Sequence, residues 1–249
     1  MAAGVRVGDD GRMATDAEPP AAAVRSTDQA SGVSTTAGLA EEIDRRIRAL
    51  PERGVEPVRR VRREYSTRLR DVPAGEVLAL AQELVERHRW VGYELLYHHP
   101  GGLASLGVDE VERLGRGMDD WGSVDAFGCY VSGPAWRHGR ITDEVVRGWA
   151  ASPDRWWRRA ALVSTVALNL RSRGGTGDTG RTLDICGRLA SDRDDMVVKA
   201  LSWALRALVV WDAGAVRAFL EAHDDVLAAR VRREVRSKLD TGLKHPRRR

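Results

Sequence analysis

Cysteine is nearly missing from this 249-residue chain: there are two, Cys129 and Cys186, far apart and without metal-ligand spacing. A disulfide framework and a cysteine-rich zinc site are thereby excluded, and a reduced, cytoplasmic setting is the simplest expectation. Long apolar runs are missing as well, and nothing approaches the ~20 residues of a membrane span. The first residues include no hydrophobic stretch of the signal-peptide kind. Strand signals are almost absent, with no sustained alternation of β-branched residues. Excess charge is small too. Charged residues make up 31% of the chain, yet the net charge is only +4, so the location of charge has to decide about nucleic acid.

Residues 1–37 hold mostly Ala, Gly, Ser, Thr and Asp around Pro19 and Pro20, with almost no large apolar side chains. Such a segment buries too little surface to offset the cost of ordering, and a disordered tail is expected. From Leu39 onward apolar residues recur at helical spacing. The pattern predicts helices at about 39–50, 55–71, 74–87, 89–99, 108–117, 121–133, 142–151, 154–171, 179–190, 194–211, 213–222 and 225–242. Ser152-Pro153 reads as an N-cap with proline in the first turn; Thr142, Asp194 and Asp212 are further caps. Many helices of similar length on short links imply stacked pairs, an all-α, right-handed α-solenoid over residues 38–243, followed by a basic tail, 244–249.

Laying residues out at 100° steps separates core from surface. On 194–211, Val197, Leu201, Leu205 and Leu208 form the apolar stripe, and Trp203 lies opposite, with Lys199 one turn before it and Arg206 one turn after. The other reading packs Trp203 on a neighbouring layer. On 121–133, Val124, Phe127 and Val131 share one side, while Trp121, Asp125, Gly128 and Ser132 share another. Small residues below the Trp–Asp pair leave room for a large ligand; alternatively, Trp121 is core and Asp125 pairs with an arginine. On 154–171, Arg159 falls on the apolar stripe, where an arginine either snorkels or holds a buried partner. Asp125 is an available partner. Together an indole face that attracts cations, a carboxylate that stabilises developing positive charge and guanidiniums that fork onto phosphate point to chemistry on nucleic acid.

These residues resemble the DNA alkylation repair glycosylases of the AlkD type, which are built from HEAT-like helical repeats. The resemblance rests on Trp121-x-x-x-Asp125, on Trp157-Arg158-Arg159-Ala160-Ala161-Leu162 and on Lys199-Ala200-Leu201-Ser202-Trp203-Ala204-Leu205-Arg206, in that order. Ala218-Phe219-Leu220 and Arg232-Arg233-Glu234 follow in register, so it covers about residues 60–240. It implies that Trp121, Asp125 and Trp203 form a catalytic cleft and that Arg159 contacts DNA there. It also implies removal of cationic 3- and 7-alkylated purines, and in some relatives of bulky adducts, without drawing the base into a pocket. Glu64-Tyr65-Ser66-Thr67-Arg68-Leu69 departs from the family's opening motif.

Other signals carry less. His98-His99, His88 and His138 have no chelating spacing, and Gly174-Gly175-Thr176-Gly177 lacks the Gly-Lys-Ser/Thr of a P-loop. Its neighbours Arg171 and Arg173 either touch a DNA backbone or sit in a plain helix connection. Asp192-Arg193-Asp194-Asp195 reads as helix-start chemistry. Arg230 to Arg233 and Arg247 to Arg249 either add attraction to DNA or are solvated charge. The expectation is a monomeric glycosylase acting on alkylated bases in duplex DNA, with Asp125, Trp121 and Trp203 catalytic, Arg159, Lys199, Arg206, Arg171 and Arg173 on DNA, and no metal or cofactor. The alternative is a non-catalytic helical-repeat module binding DNA or a protein partner.

Overall fold

The computed structural model describes residues 35–52 and 54–245, and among these all regular structure is helical. Consecutive helices pair: α1 (Thr36–Arg48) with α2 (Val55–Arg68), α3 (Ala74–Glu83) with α4 (Val85–His98), and α5 (Val108–Gly115) with α6 (Trp121–Phe127). A π-turn, Gly128–Ser132, and the short α7 (Gly133–Arg137) continue α6. Then come α8 (Asp143–Ala150) with α9 (Arg155–Asn169) and α10 (Thr179–Arg188) with α11 (Asp195–Leu208); α12 (Ala213–Ala222) and α13 (Ala229–Thr241) both lie against α11. The second members touch in sequence, α2 to α4, α4 to α6 and the π-turn, these to α9, α9 to α11 and α11 to α13. The first members lie against them as another row. This is an α-solenoid of HEAT-like helix pairs.

The helix starts have a common chemistry. Asp120, Asp154, Asp178, Asp194 and Asp212 each accept a backbone N–H at the head of α6, α9, α10, α11 and α12. Such a cap is worth about 1 kcal/mol. The carboxylates of Asp194 and Asp212 therefore act as their positions implied. Thr142 precedes α8, but its side chain makes no capping bond. Ser152 is not the cap of α9: that is Asp154, and the Ser152 hydroxyl accepts from the Asp154 N–H at 3.1 Å instead. The last expected helix starts later, at Ala229, because residues 223–228 form turns. At the N-terminus α1 begins at Thr36, capped by Thr35, two residues inside the expected tail. The rest of that tail, and residues 246–249, lie outside the described residues.

The core is the seam between the rows. Val197, Leu201, Leu205 and Leu208 are all buried, as are Leu162, Val163 and Val166 of α9. Burying each such side chain contributes about 1.5–3 kcal/mol. Every fully buried side-chain nitrogen and oxygen among the described residues has a hydrogen-bond partner.

The segment 121–133 is not one regular helix. A Cβ on Gly128 would lie 2.5 Å from Val163 Cγ1, and one on Gly133 would lie 2.5 Å from Ala167 Cβ. The Ser132 and Ser164 hydroxyls bond at 2.7 Å. The small residues below Asp125 therefore admit α9 of the protein itself, not a ligand. Asp125, Gly128 and Ser132 thus share one face, which meets Arg159, Val163 and Ser164 of α9, while Trp121 in the first turn stays 61% exposed.

Candidate active site and nucleic-acid interface

Asp125, on α6, points at Arg159, on α9. The guanidinium grips the carboxylate as a fork: Nε donates to Oδ1 and Nη2 to Oδ2, each at 2.9 Å. Nη1 donates to the Met196 carbonyl at the head of α11. Arg159 is buried, so its fork is fixed from three helices at once. Bidentate pairs of this kind set orientation as well as strength. Burial pushes the Asp125 carboxyl up to about 6, against the pull of the Arg159 charge. Arg159 thus neither snorkels nor reaches out toward phosphate; its donors serve Asp125 and a backbone oxygen. Trp121 stands exposed one turn before Asp125.

Arg159 also lines an open groove of about 610 Å³. Along it lie Lys199, Trp203 and Arg206 of α11, then Arg230, Arg233 and Glu234 of α13, and Lys244 and His245 beyond. Trp203 is half-buried and rests on the core, so both sequence readings hold in part. Lys199 is exposed and pairs with Asp195 at 2.6 Å. Arg206 is more enclosed: its Nε donates to Ser202 Oγ at 3.2 Å and stands 3.9 Å from Glu234. Burial lowers its pKa, with Glu234 opposing. Glu234 is buried, accepts from Ser202 at 2.7 Å, and lies 3.7 Å from Lys244. Arg230 shares Asp195 with Lys199, at 3.1 Å, so two carboxylates, Asp195 and Glu234, face five cations besides Arg159.

The structure brings Asp125, Arg159, Lys199, Trp203 and Arg206 onto one continuous row. Arg171 and Arg173 do not line this groove. Arg171 lies over the Trp211 ring at 4.9 Å, and Arg173 lies over Tyr130 at 4.1 Å while donating to its hydroxyl at 2.6 Å. Of Trp156-Trp157-Arg158-Arg159 only the last reaches the site. Trp157 packs on Trp149 and Phe127, Trp156 lies under Arg155, and Arg158 pairs with Asp192 at 2.8 Å. Arg230 and Arg233 line the groove, where the sequence left solvated charge as an equal reading. Their spacing of three along α13 was the available signal. Among the described residues no group of three His, Cys, Asp or Glu side chains is placed to hold a metal ion, and no helix is long and apolar enough to cross a membrane.

The arrangement combines a clamped carboxylate, an exposed indole, and a groove lined by more cations than carboxylates. Such a lining suits a polyanion. No curated protein and no solved structure matches the chain. A family model does, over residues 54–239, and that stretch runs from α2 to the last turn of α13 and holds all but the last two groove residues. It is the model described as DNA alkylation repair enzyme, so the chain belongs to that family.

Proposed function

We propose that the protein is a DNA glycosylase that hydrolyses the N-glycosidic bond of cationic alkylated purines in duplex DNA, opening base excision repair. Its substrates are bases of the 3-methyladenine and 7-methylguanine type, with bulkier adducts on the same ring nitrogens as a further class. The observation that carries this reading is the Asp125 carboxylate held on the Arg159 fork beside exposed Trp121, at the head of the cationic groove.

The chemistry follows from charge. An alkylated ring nitrogen makes the purine a cation, and when the bond from sugar to base breaks its electron pair neutralises that cation. The base needs no proton to leave, so one carboxylate suffices. Positive, oxocarbenium-like charge then builds on the deoxyribose, as in glycoside hydrolysis. Asp125 stabilises it electrostatically, and each of its oxygens keeps a lone pair beyond the one spent on Arg159. It orients a water whose oxygen bonds to the sugar carbon and whose proton passes to the carboxylate. The products are an abasic site and a neutral base. Trp121 and Trp203 offer indole faces to the cationic lesion and the sugar. Lys199 and Arg206 hold phosphates, and Arg159 positions Asp125. The protein acts as a monomer, without metal or organic cofactor, in the cytoplasm.

Incubation with methylated duplex DNA and mass analysis of the supernatant tests this directly. Release of 3-methyladenine or 7-methylguanine is expected. A protein that binds the duplex and releases no base is a non-catalytic module instead.

A further inference from the structure

A second basic cluster lies on the other side of Asp125 along the same row, where α2 and α4 meet the π-turn. Arg59 and Arg62, on α2, both donate to Glu94 of α4, at 2.9 and 3.0 Å. Arg59 also donates to the Tyr130 hydroxyl at 3.2 Å, and Arg173 donates to that same oxygen at 2.6 Å. Three guanidiniums therefore face one carboxylate and one neutral phenol. A phenol oxygen is a weak partner for two cations, and the cluster keeps a positive excess that a structural ion pair does not need. Of the five N–H groups on a guanidinium, hydrogen bonds to described residues use two on Arg59 and one on Arg173.

The cluster is also pre-shaped. Arg59 lies over Trp90 at 5.8 Å, Arg173 lies over Tyr130 and Tyr97, and the two tyrosine rings meet edge-on at 5.4 Å. Stacking of this kind fixes the plane of a guanidinium and leaves its edge to bind. Glu94 and Arg62 are buried, while Arg59 is 36% exposed. The positive field reaches His98, whose pKa burial and the three arginines lower. The cluster and Asp125 share an element: Tyr130 follows Asp125 by five residues, in the π-turn that continues α6.

We propose that Arg59 and Arg173, braced by Tyr130, Glu94 and Arg62, form a seat for a backbone phosphodiester of the bound DNA. This seat lies on the N-terminal side of Asp125, opposite the Trp203 groove. The inference rests on the proposed function, since it takes DNA as the ligand. It places the strand across Asp125 with a phosphate held on each side, so the sugar between them is fixed at two points.

The test uses the full chain, a fluorescein-labelled undamaged duplex and anisotropy over a salt series. Arg59→Gln, Arg173→Gln and the double variant are compared with Arg188→Gln, an exposed arginine on the other row that pairs with Asp184. The double variant should flatten the slope of log affinity on log salt by about 0.9, the value for the one phosphate of the seat, and each single variant by part of that. Arg188→Gln should leave it unchanged. Unchanged slopes in well-folded seat variants overturn the seat, and the proposed function stands if the wild type still releases methylated bases. Flattened slopes with no base release by the wild type keep the seat and remove the glycosylase reading. A wild type that does not bind the duplex overturns both. Should the double variant lose its cooperative melt, phenylglyoxal labelling of the wild type decides the matter. DNA must then protect Arg59 and Arg173 and spare Arg188; equal labelling with and without DNA overturns the seat.

Discussion

Burial raises the Asp125 carboxyl to about 6 while the Arg159 fork holds its shape, so one side chain carries both the pH response and the geometry of the site. The proposed chemistry needs the ionised form. Base release should therefore fall as the pH drops through about 6 and level off above 7. Asp125→Asn keeps the outline and removes the charge, and base release should drop by roughly 10- to 1000-fold, the scale for losing one preorganised electrostatic group. Binding to undamaged duplex should hold or tighten. The variant leaves a buried Arg159 without its counter-charge, so circular dichroism and melting must first show it folded. Stability carries the opposite sign. The folded carboxyl titrates above the ordinary value of about 3.9. Its contribution to stability is thus fully present below about pH 4 and lost as the pH rises through about 6. Urea unfolding of wild type and variant side by side should show their difference move by about 2 kcal/mol across that window, allowing for partial solvation.

At the scale of elements, the π-turn decides where α6 points. Gly128→Ala places a methyl 2.5 Å from Val163, and overpacking of this kind costs about 1–3 kcal/mol. The melting temperature should fall, and base release should fall with it, because the push separates α6 from α9 and opens the fork on Asp125. A variant as stable and active as the parent would show that the turn yields elsewhere. The helices themselves were legible, since Asp194 and Asp212 cap as read and the stripe of Val197, Leu201, Leu205 and Leu208 is the seam. The Arg159–Asp125 pair was legible only as one of two readings, since an arginine on an apolar stripe either snorkels or holds a buried partner; burial and the fork decide for the second. Gly128 and Ser132 were placed on the Asp125 face correctly, but that it is α9 which fills the space beside them could not be read from one helix. Ser152 was misplaced because Asp154, two residues on, is the stronger acceptor for the first N–H groups. Arg59 and Tyr130 gave no signal at all: they are 71 residues apart, and only the stacking of α2, α4 and the π-turn brings them together.

At the scale of the whole molecule, the solenoid adds charge to charge along a single row. If Lys199, Arg206, Arg230, Arg233 and Lys244 all neutralise phosphates, the groove alone contributes a salt slope of about −4.5. Truncation after Gly242 removes Lys244 and His245 from the groove, and should flatten the slope measured by anisotropy by about 0.9 for Lys244, with a further share from the arginines beyond. An unchanged slope would remove the C-terminal residues from the interface. The row has another property, in the intervals at which its partners recur. Asp125 meets Arg159 after 34 residues, Arg159 meets Met196 after 37, and Ser202 meets Glu234 after 32. Each bond of the site joins one helix pair to the next, so none has to wait for a distant part of the chain. During synthesis, which proceeds from the N-terminus, the Asp125 carboxylate is clamped as soon as α9 docks, and the clamp is braced once α11 has joined. The far wall of the groove, with its buried glutamate, comes last. The site is built in the order in which it is read, and the groove wall of α13 emerges after the carboxylate it faces along the row has already been clamped.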